Sequence, residues 1–318
     1  MVPNHSMRWM LGLAILTISC RLFTPPFASG TSTPLNSNPQ PATNEATVPA
    51  PTSIPSIPPL TAAQIRNAQY QVSALESHPT VQLVDGKYLQ GTDTPDFISI
   101  TLTDFIALGD IDGDGVNEAA AIFFENFGGT GNFGVLALYK NNHGVPVFVT
   151  STLVDDRPKI NGLSFEGNEI YLDAVVHGFE DPGCCPGLPT THLYAFVNNQ
   201  LRITHFTTAT PIGSKREIVI SSPADGAEVS DSVQVRGDVT IAPFENTLAL
   251  RIYSVAGNEL RGGPVQVIAP DLGSPGKFDT TVDLTGIPTG TTVFIELQDL
   301  SAADGSLMAM DSVELVVK

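Results

Sequence analysis

Beyond the first sixty residues, apolar and polar positions alternate with a period near two, broken at intervals by Gly, Asn, Asp and Pro. That period predicts strands, not helices. In the first half they fall at Thr80–Val84, Lys87–Gln90, Phe97–Leu102, Phe105–Leu108, Glu118–Glu125, Gly134–Lys140, Pro146–Val154, Ile170–Val176, His192–Val197 and Leu201–His205. A helix of one or two turns precedes them, with Thr61 as its cap. Asp85-Gly86 is a hairpin signal between the first two strands. Short consecutive strands joined by tight turns predict an antiparallel meander over residues 60–206, either curled on itself or folded into two layers.

The alternation is cleaner from Glu217 onward, as in Val233-Gln234-Val235-Arg236 and Val313-Glu314-Leu315. Seven strands are predicted there: Ile218–Ser221, Ser232–Val239, Thr247–Ser254, Val265–Ile268, Lys277–Leu284, Thr292–Leu297 and Ser312–Val317. Seven short antiparallel strands in about a hundred residues predict an immunoglobulin-like sandwich. It contains no Cys, so its core must hold without the antibody-type bridge. The fold class is therefore mainly β: an antiparallel β domain at 60–206, a short polar linker at 207–216, and an immunoglobulin-like domain at 217–318.

The N-terminal residues follow a different pattern. Met7-Arg8 leads into Trp9–Ile18, an apolar run closed by Ser19-Cys20. A basic lead and an apolar core too short to span a bilayer predict an export signal. The segment resembles the lipobox of bacterial lipoproteins, with Thr17 where that family prefers Leu. The resemblance implies that residues 1–20 are signal plus anchor and that Cys20 is lipidated. Cleavage near Ala28-Ser29-Gly30, releasing a secreted protein, is the alternative. Residues 21–59 are Pro-rich, with Arg21 and Glu45 as their only charges. Such a segment buries too little apolar area to offset the entropy of ordering, so it is predicted to be a disordered tether. At ~3.1 Å per residue it reaches roughly 120 Å.

A net charge of -18 changes the list of partners. So acidic a body repels phosphate backbones and anionic head groups, which argues against nucleic acid and against membrane contact other than through the lipid anchor. It favours divalent cations. The chemistry with the strongest signal is Asp110-Ile111-Asp112-Gly113-Asp114-Gly115-Val116-Asn117-Glu118. Alternate carboxylates converge if the loop curls, Gly115 permits the bend, and the Val116 carbonyl and Glu118 complete an oxygen shell suited to calcium. The expected metal ligands are Asp110, Asp112, Asp114, Val116 and Glu118. Ala121 stands where an EF-hand carries its bidentate Glu, and a strand follows instead of a helix. An acidic hairpin turn that binds nothing is the competing reading.

Cys184 and Cys185 are adjacent in Asp181-Pro182-Gly183-Cys184-Cys185-Pro186. In an oxidising compartment such thiols close on each other, giving a loop tip stiffened by its prolines, with a redox or ligand-contact role as the alternative. No Gly-x-Ser-x-Gly elbow, nucleotide loop or catalytic metal set can be assembled, and His78, His143, His177, His192 and His205 are scattered. The expectation is a non-enzymatic protein. An active site hidden from sequence is the alternative.

Three resemblances add to this. The Asp-rich spacing resembles the calcium loops between strands of integrin-type propellers. Residues 60–206 resemble a domain of exported bacterial lipoproteins of unassigned function, through Tyr70, the GDIDGDGVNEAA and FGGTGNF segments and HGFEDPGCCPG. Residues 217–318 resemble the immunoglobulin-like domain of bacterial spore germination proteins. The matching residues are Ser222-Pro223, Gly226, Val229, Gly237, Phe244-Glu245-Asn246-Thr247, Phe278 and Asp299–Ser306. That likeness implies an extracellular accessory or adhesive module with a cell-envelope or protein partner.

Overall fold

A computed structural model describes residues 57–92 and 96–318. The predicted signal, Cys20 and nearly all of the predicted tether lie outside the described residues. The chain enters through α1 (Ala62–Ile65), whose start is fixed by a capping box. Gln64 N–H donates to Thr61 Oγ1 at 3.3 Å, and Thr61 N–H donates to Gln64 Oε1 at 2.8 Å. Eleven strands follow in the first domain: β1 (Gln69–Gln71), β2 (Thr80–Gln82), β3 (Lys87–Gln90), β4 (Ile98–Gly109), β5 (Glu118–Asn126), β6 (Phe133–Asn142), β7 (Val145–Asp156), β8 (Lys159–Glu166), β9 (Glu169–Val176), β10 (Leu188–Val197) and β11 (Gln200–Ala209).

Strands β3 to β7 form a five-stranded antiparallel sheet in chain order, and β8 to β11 continue as a second meander. The central strands β5 and β6 of the five-stranded sheet are covered on both faces. Ala119, Ala121, Phe123, Val135, Ala137 and Tyr139 pack beneath α1, β1 and β2, against Ile65, Tyr70 and Val81. Their neighbours of opposite parity, Ala120, Ile122, Leu136 and Leu138, pack against Ile170, Leu172 and Tyr194 of the second meander. This explains why β5 and β6 read as nearly continuous apolar runs: neither face meets water. The meander is thus folded into layers, with a helix and hairpin as a third.

Some local expectations change. Asp85-Gly86 does make a tight turn, closed by a Val84–Lys87 bridge, but its arms diverge: β2 pairs with β1, and β3 pairs with β4. The two strands expected at 97–102 and 105–108 are one strand, β4, with a register shift between Leu102 and Ile106.

The immunoglobulin-like domain comprises β13 (Ile218–Ser222), β14 (Ala227–Val229), β15 (Ser232–Val239), β16 (Thr247–Ser254), β17 (Glu259–Ile268), β18 (Gly276–Asp283), β19 (Thr292–Leu300) and β20 (Leu307–Val317), preceded by the short β12 (Lys215–Arg216). One sheet holds β13, β15 and β18, the other β16, β19 and β20, and β17 bonds to both β16 and β18. Ile218, Val235, Leu248, Ile252, Phe278, Ile295, Leu297 and Leu315 fill the space between, with no disulfide.

The expected linker is structured. β11 runs on to Ala209, and β12 pairs back onto it. β11 also pairs with β20 at His205↔Asp311 and Phe206↔Met310, so one sheet runs unbroken from the first domain into the second. Charged side chains seal this junction. Arg202 bonds to Glu296 and stacks on the rings of Phe294 and Tyr253, at 4.5 and 5.0 Å. Arg216 reaches Asp299 at 2.6 Å. His205 sits between Asp311 (3.0 Å) and Glu217 (3.3 Å). Burial disfavours its charge, yet the two carboxylates outweigh burial and raise its pKa.

Candidate functional site

The Asp-rich loop lies between β4 and β5. Gly113 and Gly115 take φ of 76° and 83°, which a side chain would resist, and this curls the loop. Asp110 holds the curl: its Oδ1 accepts from the N–H groups of Gly113 (2.8 Å) and Asp114 (3.1 Å), and its Oδ2 from Gly115 (2.8 Å). Asp110, Asp112 and Glu118 each bring one carboxylate oxygen to within 4.8 Å of the others. Asp114 stands outside that trio and caps Val116 N–H instead, at 2.7 Å. Glu118, the first residue of β5, is 2% exposed. Burial raises its pKa, the nearby Asp112, Asp114 and Asp110 raise it further, and the Ile111 N–H at 3.2 Å opposes them.

Sequence reasoning missed one participant. Lys140, arriving from β6, donates to Asp112 Oδ2 at 2.6 Å and lies 5.3 Å from the centre of the Phe196 ring. The Asp112 carboxylate raises its pKa. Nothing near Asp112 in sequence predicts this cation, because it comes from the next strand but one. The converging donors are all carboxylate oxygens, so their chemistry fits a hard cation. Asp110, Asp112 and Glu118 would hold one, with Lys140 partly neutralising Asp112 in its absence.

Cys184 and Cys185 are joined by a disulfide, with Cα atoms 3.8 Å apart. They cap the loop between β9 and β10. Asp181 closes its base, accepting from Gly178 N–H (2.7 Å) and Gly187 N–H (2.6 Å), and these bonds lower its pKa. Arg157 clamps the tip. It donates to the Gly183 carbonyl and also to the Thr130 carbonyl (2.7 and 3.0 Å) of the loop after β5. The Cys loop therefore belongs at the far end of β5 from the Asp-rich loop. Nine strand residues separate them, roughly 30 Å. The structure does not unite the two features in one concave site.

Beside the Cys loop, His177 Nδ1 meets Asp155 Oδ2 at 2.9 Å, an arrangement of base and orienting acid. Its Nε2 is buried without a hydrogen-bond partner among the described residues, so no hydroxyl or thiol stands ready for activation there. His192 is held in a buried relay: Nε2 to Thr190 Oγ1 at 2.9 Å, and Nδ1 to Tyr194 Oη at 3.0 Å. Burial lowers its pKa to about 4, so it is neutral and structural. Another buried carboxylate, Glu125, is satisfied by Tyr70 Oη (2.6 Å), Ser73 N–H (2.8 Å) and Ala74 N–H (2.9 Å).

Residues 217–306 match the family described as the immunoglobulin-like domain of bacterial spore germination. The stretch takes in every strand from β13 to β19. It supports the family expected for residues 217–318 and leaves the first domain unassigned. No curated protein matches the chain.

Proposed function

We propose that this is a non-catalytic lipoprotein displayed at the cell surface, in which a tether anchored at Cys20 presents two fused β domains for binding or scaffolding. The observation that carries the reading is the family match over β13–β19 together with the unbroken β11–β20 sheet. An immunoglobulin-like module is a binding or scaffolding device, and here it is fused rigidly to its neighbour, as suits presentation at a distance. The export-type N-terminal sequence supplies the address. Calcium held by Asp110, Asp112 and Glu118 braces the β4–β5 turn and lifts the repulsion among three converging carboxylates. The partner is a cell-envelope component or a protein.

Radiolabelled palmitate, followed by cell fractionation, tests the address. The native chain is expected to label and to partition with membranes, while Cys20→Ala is expected to lose the label and appear in the medium. Label retained by Cys20→Ala removes the anchor from the proposal. Calorimetric titration with calcium tests the brace: Asp112→Asn should bind more weakly than the native chain, and melting should fall in chelator. No heat of binding and an unchanged melting temperature leave an acidic turn.

A further inference from the structure

A groove of about 890 Å³ lies between the β1–β2 hairpin and β7. Its volume lies in the range of small-ligand sites. Its composition is unusual for this chain. Thirteen of the described residues line it, and none of these is Asp, Glu, Lys, Arg or His, although the net charge of the protein is -18.

One wall is polar and ordered. Tyr70 and Val81 point into the core, so their strand neighbours Gln69, Gln71, Thr80 and Gln82 share the outer face. They stand as cross-strand pairs, Gln69↔Gln82 and Gln71↔Thr80. Two of these amides are pinned. Gln82 Nε2 donates to the carbonyls of Asn67 (2.7 Å) and Leu83 (3.2 Å), and Gln71 Nε2 donates to the carbonyl of His78 (3.3 Å). Turning either amide over would set oxygen against oxygen, so the backbone fixes which end is outward. The free ends are the acceptor oxygens, Oε1 of Gln71 and Gln82. The opposite wall is the edge strand β7, where Val145 and Val147, 58% and 45% exposed, alternate with Pro146 and Phe148. Phe148 meets Tyr70 edge-on at 5.7 Å, which holds β1 and β7 together.

A ligand for this groove must bring several hydrogen-bond donors on one side and an aliphatic face on the other. It must carry no negative charge, because fixed acceptor oxygens repel anions. A positive charge would find no ion-pair partner among the described lining residues. We propose that the groove binds a neutral glycan, whose hydroxyl groups donate to Gln71 and Gln82 and whose C–H face lies on Val145 and Val147. An uncharged extended peptide is the competing occupant.

The test uses the purified full chain, so its outcome is independent of where the protein is anchored. Cellohexaose and chitohexaose are the neutral probes, and hexagalacturonate is the charged control. At least one neutral hexasaccharide should bind in calorimetric titration, and hexagalacturonate should not. Binding should weaken by about tenfold or more in Gln69→Ala/Gln71→Ala, and likewise in Val147→Glu, which places a carboxylate on the apolar wall. All these positions are solvent-exposed, and native circular dichroism and melting temperature verify each fold. The proposal is overturned if neither neutral probe binds at about 10 mM, if hexagalacturonate binds as well as they do, or if folded variants of both kinds keep native affinity. Tighter binding of an uncharged Pro/Thr peptide, lost in the same variants, reassigns the groove to peptide and overturns it too.

Discussion

The central sheet of the first domain and the sandwich of the second are built from similar strands and differ in what covers them. In β15 the burial alternates strictly: Val235, Gly237 and Val239 face inward while Gln234, Arg236 and Asp238 face water. In β5 the first six residues, Glu118–Phe123, are all buried, because one parity meets the α1–β1–β2 layer and the other meets the second meander. A sheet with one wet face leaves half its positions free for charge. A sheet with two dry faces leaves none, and any polar group in it must find a protein partner.

Emptying a position in the doubly covered strands should have the largest effect on stability. Phe123 is fully buried and stacks on Tyr70 at 4.2 Å. Phe123→Ala is expected to cost about 3–5 kcal/mol in denaturant unfolding. A loss below about 1 kcal/mol would mean that the layer over β5 is loosely packed.

Acid should separate the two domains next. His192 is neutral in the fold, its pKa lowered to about 4 from 6.5. A depressed His favours folding above its unfolded pKa, and that contribution is lost as pH falls from about 6.5 towards 4. The loss is on the order of 3 kcal/mol at pH 4. His205 at the junction has the opposite sign: its raised pKa favours the folded state below its ordinary value, and the contribution fades as pH rises through the folded pKa. Melting curves between pH 4 and 8 should show the native chain losing stability in acid, and His192→Gln losing less. Parallel losses in both chains would mean that His192 is not buried neutral.

A smaller effect tests the satisfied carboxylate. Glu125→Gln replaces an acceptor with an amide donor facing backbone N–H groups at Ser73 or Ala74, and should cost about 1–3 kcal/mol. The smallest effect belongs to the wet face. Gln234→Thr on β15 should shift stability by about 0.5 kcal/mol or less, whereas Ala121→Thr on β5, which adds bulk and a hydroxyl to a fully buried site, should be measurably worse.

The same contrast explains what was legible in the sequence. The sandwich strands, except the three-residue β14, could be placed from alternation, because one face is wet. β5 and β6 could be recognised as strands, but a run apolar on both parities does not say how many layers cover it. β8 was missed: Lys159–Glu166 includes Asn161 and Gly162, and none of its residues is fully buried. β1 was missed because it is only three residues long. The Asp85-Gly86 turn was readable and its pairing was not, since pairing depends on which sheet edge each arm meets. At the Asp-rich loop, the meeting of Asp110, Asp112 and Glu118 followed from local spacing. The hydrogen bonds that divert Asp114 and the arrival of Lys140 did not. The acceptor face of the groove was invisible in the sequence because it depends on which end of each glutamine the backbone occupies.

The order in which the strands are synthesised adds a consequence of the β11–β20 pairing. β20 bonds antiparallel to β19, parallel to β14 and antiparallel to β11, so the last strand in the order completes both the sandwich and the junction. Until Leu307–Val317 emerges, the edge of β11 beyond its β12 contact and that of β19 lack their final partner. Open strand edges of this kind are where chains pair with one another. β20 also begins one residue after the family match ends. A chain stopped at that boundary would keep most of the recognisable module and lose its keystone, and it should accumulate as aggregates when its full-length counterpart stays dispersed.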